Sequence, residues 1–447
     1  MKKSGLSKRI LVNLVLFGFM GQIAWNMENI YFNTFLFNYI GGTTKDISRM
    51  VALSAATAVI TTFAMGALSD KLGRRKGFIC FGYILWGLTV VSFAFISRDS
   101  VATLFGLTDK AGIIAATVSV VIIMDCIMTF MGSTANDAAF NAWVTEVTVP
   151  ENRGTAEGIL AVLPTLAMFA VTIGFGAGVA SLGYPVCFAA LGAGVSLCGV
   201  IGLFTIKESG TSEKKQGSFL NDLIYGFRPS VVKKHGRLYL TLVCVCIFGV
   251  AVQIFFPYIM IYIQHYLGLD INNLNITPVT AVLAVVVLAG FIAVTVGLGV
   301  LVDKIGKARF VYPAVFVFAV GLISAGLAKT LGTFAVSAAI FFAGYGLLMI
   351  ILNAAVRDFT PEDKVGLFQG VRMIFFVLIP MIIGPFLGNL VIKIFSENHA
   401  AGTYLNDFDE VVTVPVPEMF IAAAIFGLLI LLPLFFVKRG YSDKKVR

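Results

Sequence analysis

One charged motif occurs twice in this chain, each time directly after an apolar run long enough to cross a bilayer. Residues 66–76 read GALSDKLGRRK, and residues 299–309 read GVLVDKIGKAR. A second pair repeats in the same order, with NAWVTEVTVPENRG at 141–154 and NAAVRDFTPEDKVG at 353–366. Two repeats in the same order indicate that the chain consists of two related halves, with the charged motif at one end of a membrane helix in each.

The composition predicts a membrane protein with many spans. Of the 447 residues, 58% are hydrophobic and only 13% are charged. Soluble domains carry about 25% charged residues, so a soluble fold of this composition is excluded.

Apolar stretches of roughly 20 residues, the length that crosses the hydrocarbon core, occur twelve times. The predicted helices lie near residues 10–40, 48–69, 77–97, 112–145, 155–180, 185–206, 238–266, 278–302, 310–329, 333–356, 367–394 and 418–437. We therefore expect an all-α integral membrane protein with two pseudo-symmetric six-helix bundles. The bundles are residues 1–206 and 238–447, and a cytoplasmic linker at 207–237 joins them.

The distribution of Lys and Arg predicts the orientation. Most of these residues fall on one side of the predicted spans, together with both termini, and that side is cytoplasmic by the positive-inside rule. The chain is therefore expected in the cell membrane with both termini in the cytoplasm. Its net charge of +9 follows from topology and attraction to anionic lipids, and no nucleic-acid partner is expected.

Twelve helices in two halves, with the motif at 66–76 between helices 2 and 3 and its degenerate copy between helices 8 and 9, resemble the major facilitator superfamily. The resemblance covers the whole chain. It implies that Asp70 and Arg74 hold a cytoplasmic gate shut, with Asp303 and Lys307 as the matching pair. Ala308 interrupts the basic run of the second copy.

Helix 4 carries a further resemblance. The stretch DAAFNAWV at 137–144 is similar to the helix 4 pattern of the glycoside-pentoside-hexuronide cation symporters, the melibiose permease group. That resemblance implies that Asp137 contributes to sugar and cation binding. The acidic pair on helix 2 of that group would fall near Ala58 and Thr62, which are not acids, so proton coupling is expected ahead of sodium coupling.

Polar residues inside helix 1 predict a face that meets protein or water. Gln22, Asn26, Asn29 and Asn33 are spaced by three or four residues, which places them on one side of a helix. Amides facing lipid would be costly, so the face either binds substrate or makes hydrogen bonds between helices. Glu28 points away from this stripe, and intramembrane acids are commonly functional.

Helix 4 has a polar ladder that predicts a lining for an aqueous path. Asp125, Thr129, Ser133, Asp137 and Asn141 follow at intervals of four residues. Asp125 is expected toward the outer side and Asp137 toward the inner side. The ladder acids are either an ion route or two unrelated structural acids. With Glu28, they are the predicted cation-coupling residues.

The second half is poorer in charge and supplies the remaining candidates for substrate binding. Gln253 on helix 7 corresponds to Asn29, and Asn353 corresponds to Asn141. Arg372 on helix 11 is a positive partner for substrate or for an acid. The predicted substrate-binding set is Asn26, Asn29, Asn33, Asp137, Asn141, Gln253, Asn353 and Arg372.

These features indicate a secondary active transporter that moves a small polar solute, plausibly a sugar or glycoside, by alternating access driven by H⁺ or Na⁺. A proton-coupled exporter of amphipathic compounds, a lipid transporter and a non-transporting membrane receptor are the alternatives. The chain lacks a phosphate-binding loop and has only three His. We therefore expect no enzyme, cofactor or metal. The expected partners are the lipid bilayer, the solute and the coupling cation, and a monomer is expected.

Overall fold

The computed structural model describes residues 6–148, 150–207, 226–269, 307–361, 365–406, 408 and 410–442. Contacts divide the chain into two compact units, Met1–Gly217 and Ser218–Arg447. The division falls inside the predicted linker, whose own bounds stay a prediction.

The first unit is built of helices. They are α1 (Lys8–Tyr39), α2 (Thr44–Leu72), α3 (Arg75–Phe95), α4 (Arg98–Phe105), α5 (Lys110–Val147), α6 (Pro150–Phe169, continued by the π-helical Ala170–Phe175) and α7 (Gly176–Thr205). Two of these helices also contain π-helical stretches, at Glu28–Phe32 and Phe35–Tyr39 in α1 and at Ser133–Phe140 in α5.

The second unit has helices and one hairpin in its described part. The helices are α8 (Pro229–Lys234), α9 (Gly236–Tyr266), α10 (Lys307–Leu327), α11 (Leu331–Phe359), α12 (Val365–Met373, continued by the π-helical Ile374–Leu378), α13 (Ile379–Phe395), α14 (Glu418–Leu428) and α15 (Leu431–Ser442). Strands β1 (Thr403–Leu405) and β2 (Val411–Thr413) pair antiparallel.

Ten helices in the described part of the chain are long and apolar enough to cross a membrane. One of them, Gly158–Thr205, covers the predicted fifth and sixth spans, which separate at Gly183, where φ is 79°. The predicted eighth span at 278–302 lies outside the described residues. Eleven of the twelve predicted spans thus coincide with helices of the described segments.

Local sequence explains where the helices around the charged motif begin and end. A capping box starts α2, since Thr43 and Asp46 satisfy each other's backbone N–H groups. Gly73 ends α2 in the left-handed conformation with φ 63°, which glycine adopts without strain. Arg74 is extended, and α3 starts at Arg75. The two adjacent arginines therefore point in different directions.

The closest helix crossing in the first unit, between α3 and α7, depends on glycine. A Cβ added at Gly192 would lie 2.5 Å from the carbonyl oxygen of Gly87, and one added at Gly199 would lie 2.6 Å from that of Cys80. Small residues at these positions let the two backbones approach, as is common between membrane helices. In the second unit, Gly321 and Gly344 do the same for α10 and α11.

We expect Gly192→Ala to destabilise the protein by about 1–3 kcal/mol, because the methyl group must push α7 away from α3. Gly194→Ala is the matched control, since a Cβ there meets only the end of Met20 at 3.7 Å. Thermal unfolding of both purified variants in detergent measures the difference. Equal melting temperatures would show that the crossing does not need glycine.

Candidate ion-coupling and solute site

Two carboxyl groups and two hydroxyl groups meet inside the first unit, and we call Glu28, Ser54, Asp125 and Thr129 the acidic cluster. The Ser54 hydroxyl donates to Glu28 Oε1 at 2.7 Å, and the Thr129 hydroxyl donates to the same oxygen at 3.2 Å. The two hydroxyl oxygens lie 2.7 Å apart. Asp125 is close enough to Glu28 and Ser54 to interact with both. Three helices therefore contribute to one polar cluster.

The sequence positions explain this convergence. Asp125 and Thr129 are four residues apart on α5, so their side chains lie on one face, one turn from each other. Glu28 is the first residue of a π-helical segment of α1. A π-helical turn changes the direction in which the following side chains point, and such turns are frequent at functional sites. Ser54 completes the cluster from α2.

The cluster is dry and lacks a basic partner among the described residues. Glu28 is 8% exposed and Asp125 is 1% exposed. Glu28 Oε2 and Asp125 Oδ1 are buried and accept no hydrogen bond. Salt bridges in the described segments involve other acids. Buried carboxylates normally pair with a cation or take up a proton, which makes the cluster a candidate site for a positive ion.

Asp137 lies further along α5, in its π-helical segment, and is only partly buried. The Ser133 hydroxyl donates to its Oδ2 at 3.0 Å, and the Trp25 side chain forms a second hydrogen bond to it. A Cβ at Gly132 would lie 2.7 Å from the Trp86 ring and 3.0 Å from the Trp25 ring, so glycine leaves space for both indoles. Asp137 also interacts electrostatically with Glu28. The three predicted coupling acids thus belong to one electrostatic system.

The amide stripe on helix 1 uses its N–H groups within its own helix. Asn26, Asn29 and Asn33 each donate to the carbonyl oxygen four residues earlier, at 2.7–2.8 Å. Asn26 and Asn29 remain partly exposed, whereas Asn33 is buried and its Oδ1 accepts no hydrogen bond. Asn33 therefore does not face a cavity in this structure. The side-chain amide oxygens of Asn26 and Asn29 are available as hydrogen-bond acceptors.

A buried chain of hydrogen bonds that the sequence did not single out holds α5 to its neighbours. The Asn136 amide donates to the Tyr83 hydroxyl at 2.6 Å, and Tyr83 donates to the Phe17 carbonyl oxygen at 2.7 Å. The polar residues of the α5 ladder recur every four residues, and Asn136 does not belong to that series. Its hydrogen bond to Tyr83 holds the part of α5 that carries the adjacent Asp137. Asn141, the last residue of the ladder, is exposed and donates to the Asp137 carbonyl oxygen at 3.2 Å.

Two of the predicted residues of the second unit contact each other. Arg372 Nη2 donates to Asn353 Oδ1 at 3.1 Å, and its guanidinium group lies 4.7 Å from the centre of the Phe376 ring. The Asn353 N–H group is held by the Met349 carbonyl oxygen at 2.9 Å. Gln253 lies where α9 crosses α13, and its Cβ would touch any side chain at Gly384.

The charged motif forms a network whose centre is not the predicted arginine. Arg75, which is 6% exposed, contacts Asp70 and donates to Glu146 Oε1 at 2.9 Å. It also donates to Ser69. Arg74 is exposed, so the predicted pairing of Asp70 with Arg74 is wrong. The cause is the helix start at residue 75, which turns the second arginine inward.

The second copy of the motif is described only in part. Asp303 lies outside the described residues, and Lys307 is the first residue of α10. Glu146 belongs to the other repeated segment of the first half, 141–154. Arg75 of the charged motif at 66–76 therefore connects these two segments through its ion pair with Glu146.

We expect Arg75→Gln to lower the melting temperature far more than Arg74→Gln. Removing the cation leaves Asp70 and Glu146 facing each other, and breaking a buried ion pair costs about 3–5 kcal/mol. The side chain of Asp70 is 44% exposed and that of Glu146 is 18% exposed. The loss of stability therefore falls toward the lower end of that range. Thermal unfolding of the two purified variants measures it, and a larger effect at Arg74 would contradict the network.

Comparison with known proteins places the fold. A sequence model of the Major Facilitator Superfamily matches residues 14–385 and 271–447. A comparison with curated protein sequences finds no match.

Solved structures share the fold at low sequence identity. A bacterial homologue of the human lysosomal transporter Spinster, in an inward-facing and unoccupied conformation, has a TM-score of 0.65 at 13% identity and covers 99% of this chain and 100% of its own. The nucleoside transporter NupG has a TM-score of 0.68 at 10% identity, with coverages of 97% and 99%. A variant of the peptide transporter POT in complex with alafosfalin has a TM-score of 0.68 at 13% identity, with coverages of 97% and 96%.

The family match extends over nearly the whole sequence and agrees with the predicted twelve-helix, two-bundle architecture. The chain therefore belongs to the Major Facilitator Superfamily and is a membrane transporter, not an enzyme.

Proposed function

We propose that this transporter is a symporter that couples proton entry to uptake of a small polar solute, with sugars and glycosides as the first class to test. The observation that carries the proposal is the acidic cluster. Two carboxyl groups that are more than nine-tenths buried, without a basic partner in the described segments, are costly in a protein that does not use them.

Protonation supplies a means of coupling. A buried carboxylate is stabilised by water or a cation, and a protonated carboxyl tolerates a dry site. If the inward-open and outward-open states hydrate the cluster differently, proton binding changes their relative energies. Sodium is the weaker candidate, because Ala58 and Thr62 stand where the resembling symporters have acids. Within the described residues, no group of three His, Cys, Asp or Glu side chains is arranged to hold a metal ion.

The solute site proposed in the first unit is centred on Asp137. It is partly exposed, and it lies twelve residues after Asp125 on α5. The amide oxygens of Asn26 and Asn29 are free to accept hydrogen bonds from solute hydroxyl groups, and Trp25 offers an aromatic face. Asn33 is left out of this site because it is buried.

The proposal also includes three solute-binding residues of the second unit, Gln253, Asn353 and Arg372. Arg372 and Asn353 form a polar pair on neighbouring helices of that unit. Asn141, in the first unit, completes the predicted set. The branch resemblance favours sugars. Nucleosides and peptides, the solutes named for two structural neighbours, belong in the same screen.

The network of Arg75, Asp70 and Glu146 is proposed as the cytoplasmic gate. This assignment rests on the orientation predicted from Lys and Arg, with both termini in the cytoplasm of a cell-membrane protein. The matching gate residues in the second half are proposed to be Asp303 and Lys307. The proposed transport unit is a monomer.

We expect Asp137→Asn to abolish accumulation of solute against its gradient, because the amide removes both the carboxylate that is proposed to bind solute and its electrostatic interaction with Glu28. The solute is first found by thermal-shift screening of the purified protein against sugars, glycosides, nucleosides, peptides and amino acids, with and without sodium. Solute-dependent acidification of proteoliposomes, followed with a trapped pH dye, then measures coupling.

Asp99→Asn is the matched control, because Asp99 is exposed in the first turn of α4. It should transport like the wild-type protein. Solute uptake without any proton flux would refute proton symport, and full accumulation by Asp137→Asn would refute the proposed role of Asp137.

A further inference from the structure

The acidic cluster distributes its hydrogen bonds unevenly. Both hydroxyl groups, from Ser54 and Thr129, are directed at the same oxygen of Glu28, Oε1. Each hydroxyl has one hydrogen, and these two also lie within hydrogen-bond distance of each other. Glu28 Oε2 and Asp125 Oδ1 are both buried, and neither has a hydrogen-bond partner among the described residues.

Two negative charges cannot both be stable in this environment. The ionisable groups that interact with the pair are Asp137 and Cys126, and neither is basic. The contribution of α2 is the uncharged Ser54. Like charges this close in a dry site oppose each other's ionisation, and such carboxyl pairs commonly retain one proton between them.

We propose that Glu28 and Asp125 act as a single unit that holds one proton, and that Ser54 positions this pair. The inference rests on the proposed proton coupling and names the group that carries the proton. One proton reduces the charge of the pair from −2 to −1. The protonated carboxyl group also gains an O–H donor, which the unpaired oxygens of the cluster lack.

The pair also favours a proton over a metal ion. Hard metal ions are held by about six or more oxygen ligands. The cluster has two unpaired carboxyl oxygens, and the hydroxyl groups already direct their hydrogens toward Glu28. A proton needs only the two oxygens.

Ser54 is a positioning residue in this arrangement. Its hydroxyl group donates to Glu28 Oε1 and also interacts with Asp125. Removing the hydroxyl frees the Glu28 carboxyl group to rotate, so the interaction between the two carboxyl groups changes. The coupled ion would remain a proton, but the geometry of its site would loosen.

Infrared difference spectroscopy of the purified protein in lipid vesicles tests the pair without any solute. At neutral pH the wild-type protein should show one carboxylic acid C=O band from the cluster, sensitive to deuterium exchange. Glu28→Gln and Asp125→Asn should each shift the band of the remaining acid, because its partner is lost, and the double variant should have no such band. Ser54→Ala should shift the band, whereas Ser119→Ala, which removes an exposed hydroxyl on α5 bonded to its own helix, should not.

Three results would overturn the shared proton. The first is the absence of an acid band in the wild-type protein at neutral pH. The second is two additive bands, of which each single substitution removes one and leaves the other unmoved. The third is loss of the band when sodium replaces potassium. A shared band together with no solute-driven proton uptake would refute the symport proposal and leave the pair standing.

Discussion

A carboxyl group inside hydrocarbon must find its partners within the protein, and this requirement organises the first unit. Glu28 obtains two hydroxyl groups from α2 and α5, and Asp137 obtains one hydroxyl group and one indole group. None of these partners carries a charge. Neutral donors satisfy hydrogen bonds without fixing the charge of the acid, so the acid can still gain or lose a proton. An arginine in the same place would hold the carboxylate ionised.

The acids near the far ends of α2 and α5 have a charged partner instead of neutral ones. Asp70 and Glu146 share Arg75 as their ion-pair partner. The two groups of acids therefore differ in their partners, although α5 contributes to both. The acids of the cluster and Asp137 have neutral partners, whereas those of the network have a cation whose position depends on where the ends of the helices lie.

The sequence predicts the spans well because hydropathy and charge placement are direct consequences of the membrane. It also locates Glu28, Asp125 and Asp137, since acids in apolar runs are conspicuous. It does not predict that Glu28 and Asp125 meet, because their approach depends on the π-helical turn in α1, which no simple spacing rule reveals. The expected amide stripe forms, yet its N–H groups bond within the helix, as the spacing of four residues equally permits.

Arg75 shows the same limit at the level of one residue. Arg74 and Arg75 are the same type of residue, so their chemistry does not tell which of them pairs with Asp70. The left-handed conformation of Gly73 and the start of α3 at Arg75 determine it. Ser54 was missed for a different reason, because one serine in an apolar helix is unremarkable until a carboxyl group is placed beside it. A search for hydroxyl residues at the depth of each acid would have found it.

The positions of the two acid groups along the helices have a mechanical consequence. Ser54 and Asp70 are both on α2, sixteen residues apart, which corresponds to about 24 Å along the helix. Asp125 and Thr129 are on α5, and so is Glu146. Both helices thus contribute to the cluster and carry one acid of the Arg75 network. Under the proposed proton coupling, a change of proton occupancy would alter the attraction between α2 and α5 at the cluster. Arg75 contacts an acid on each of the same two helices, so its two ion pairs depend on how α2 and α5 are placed.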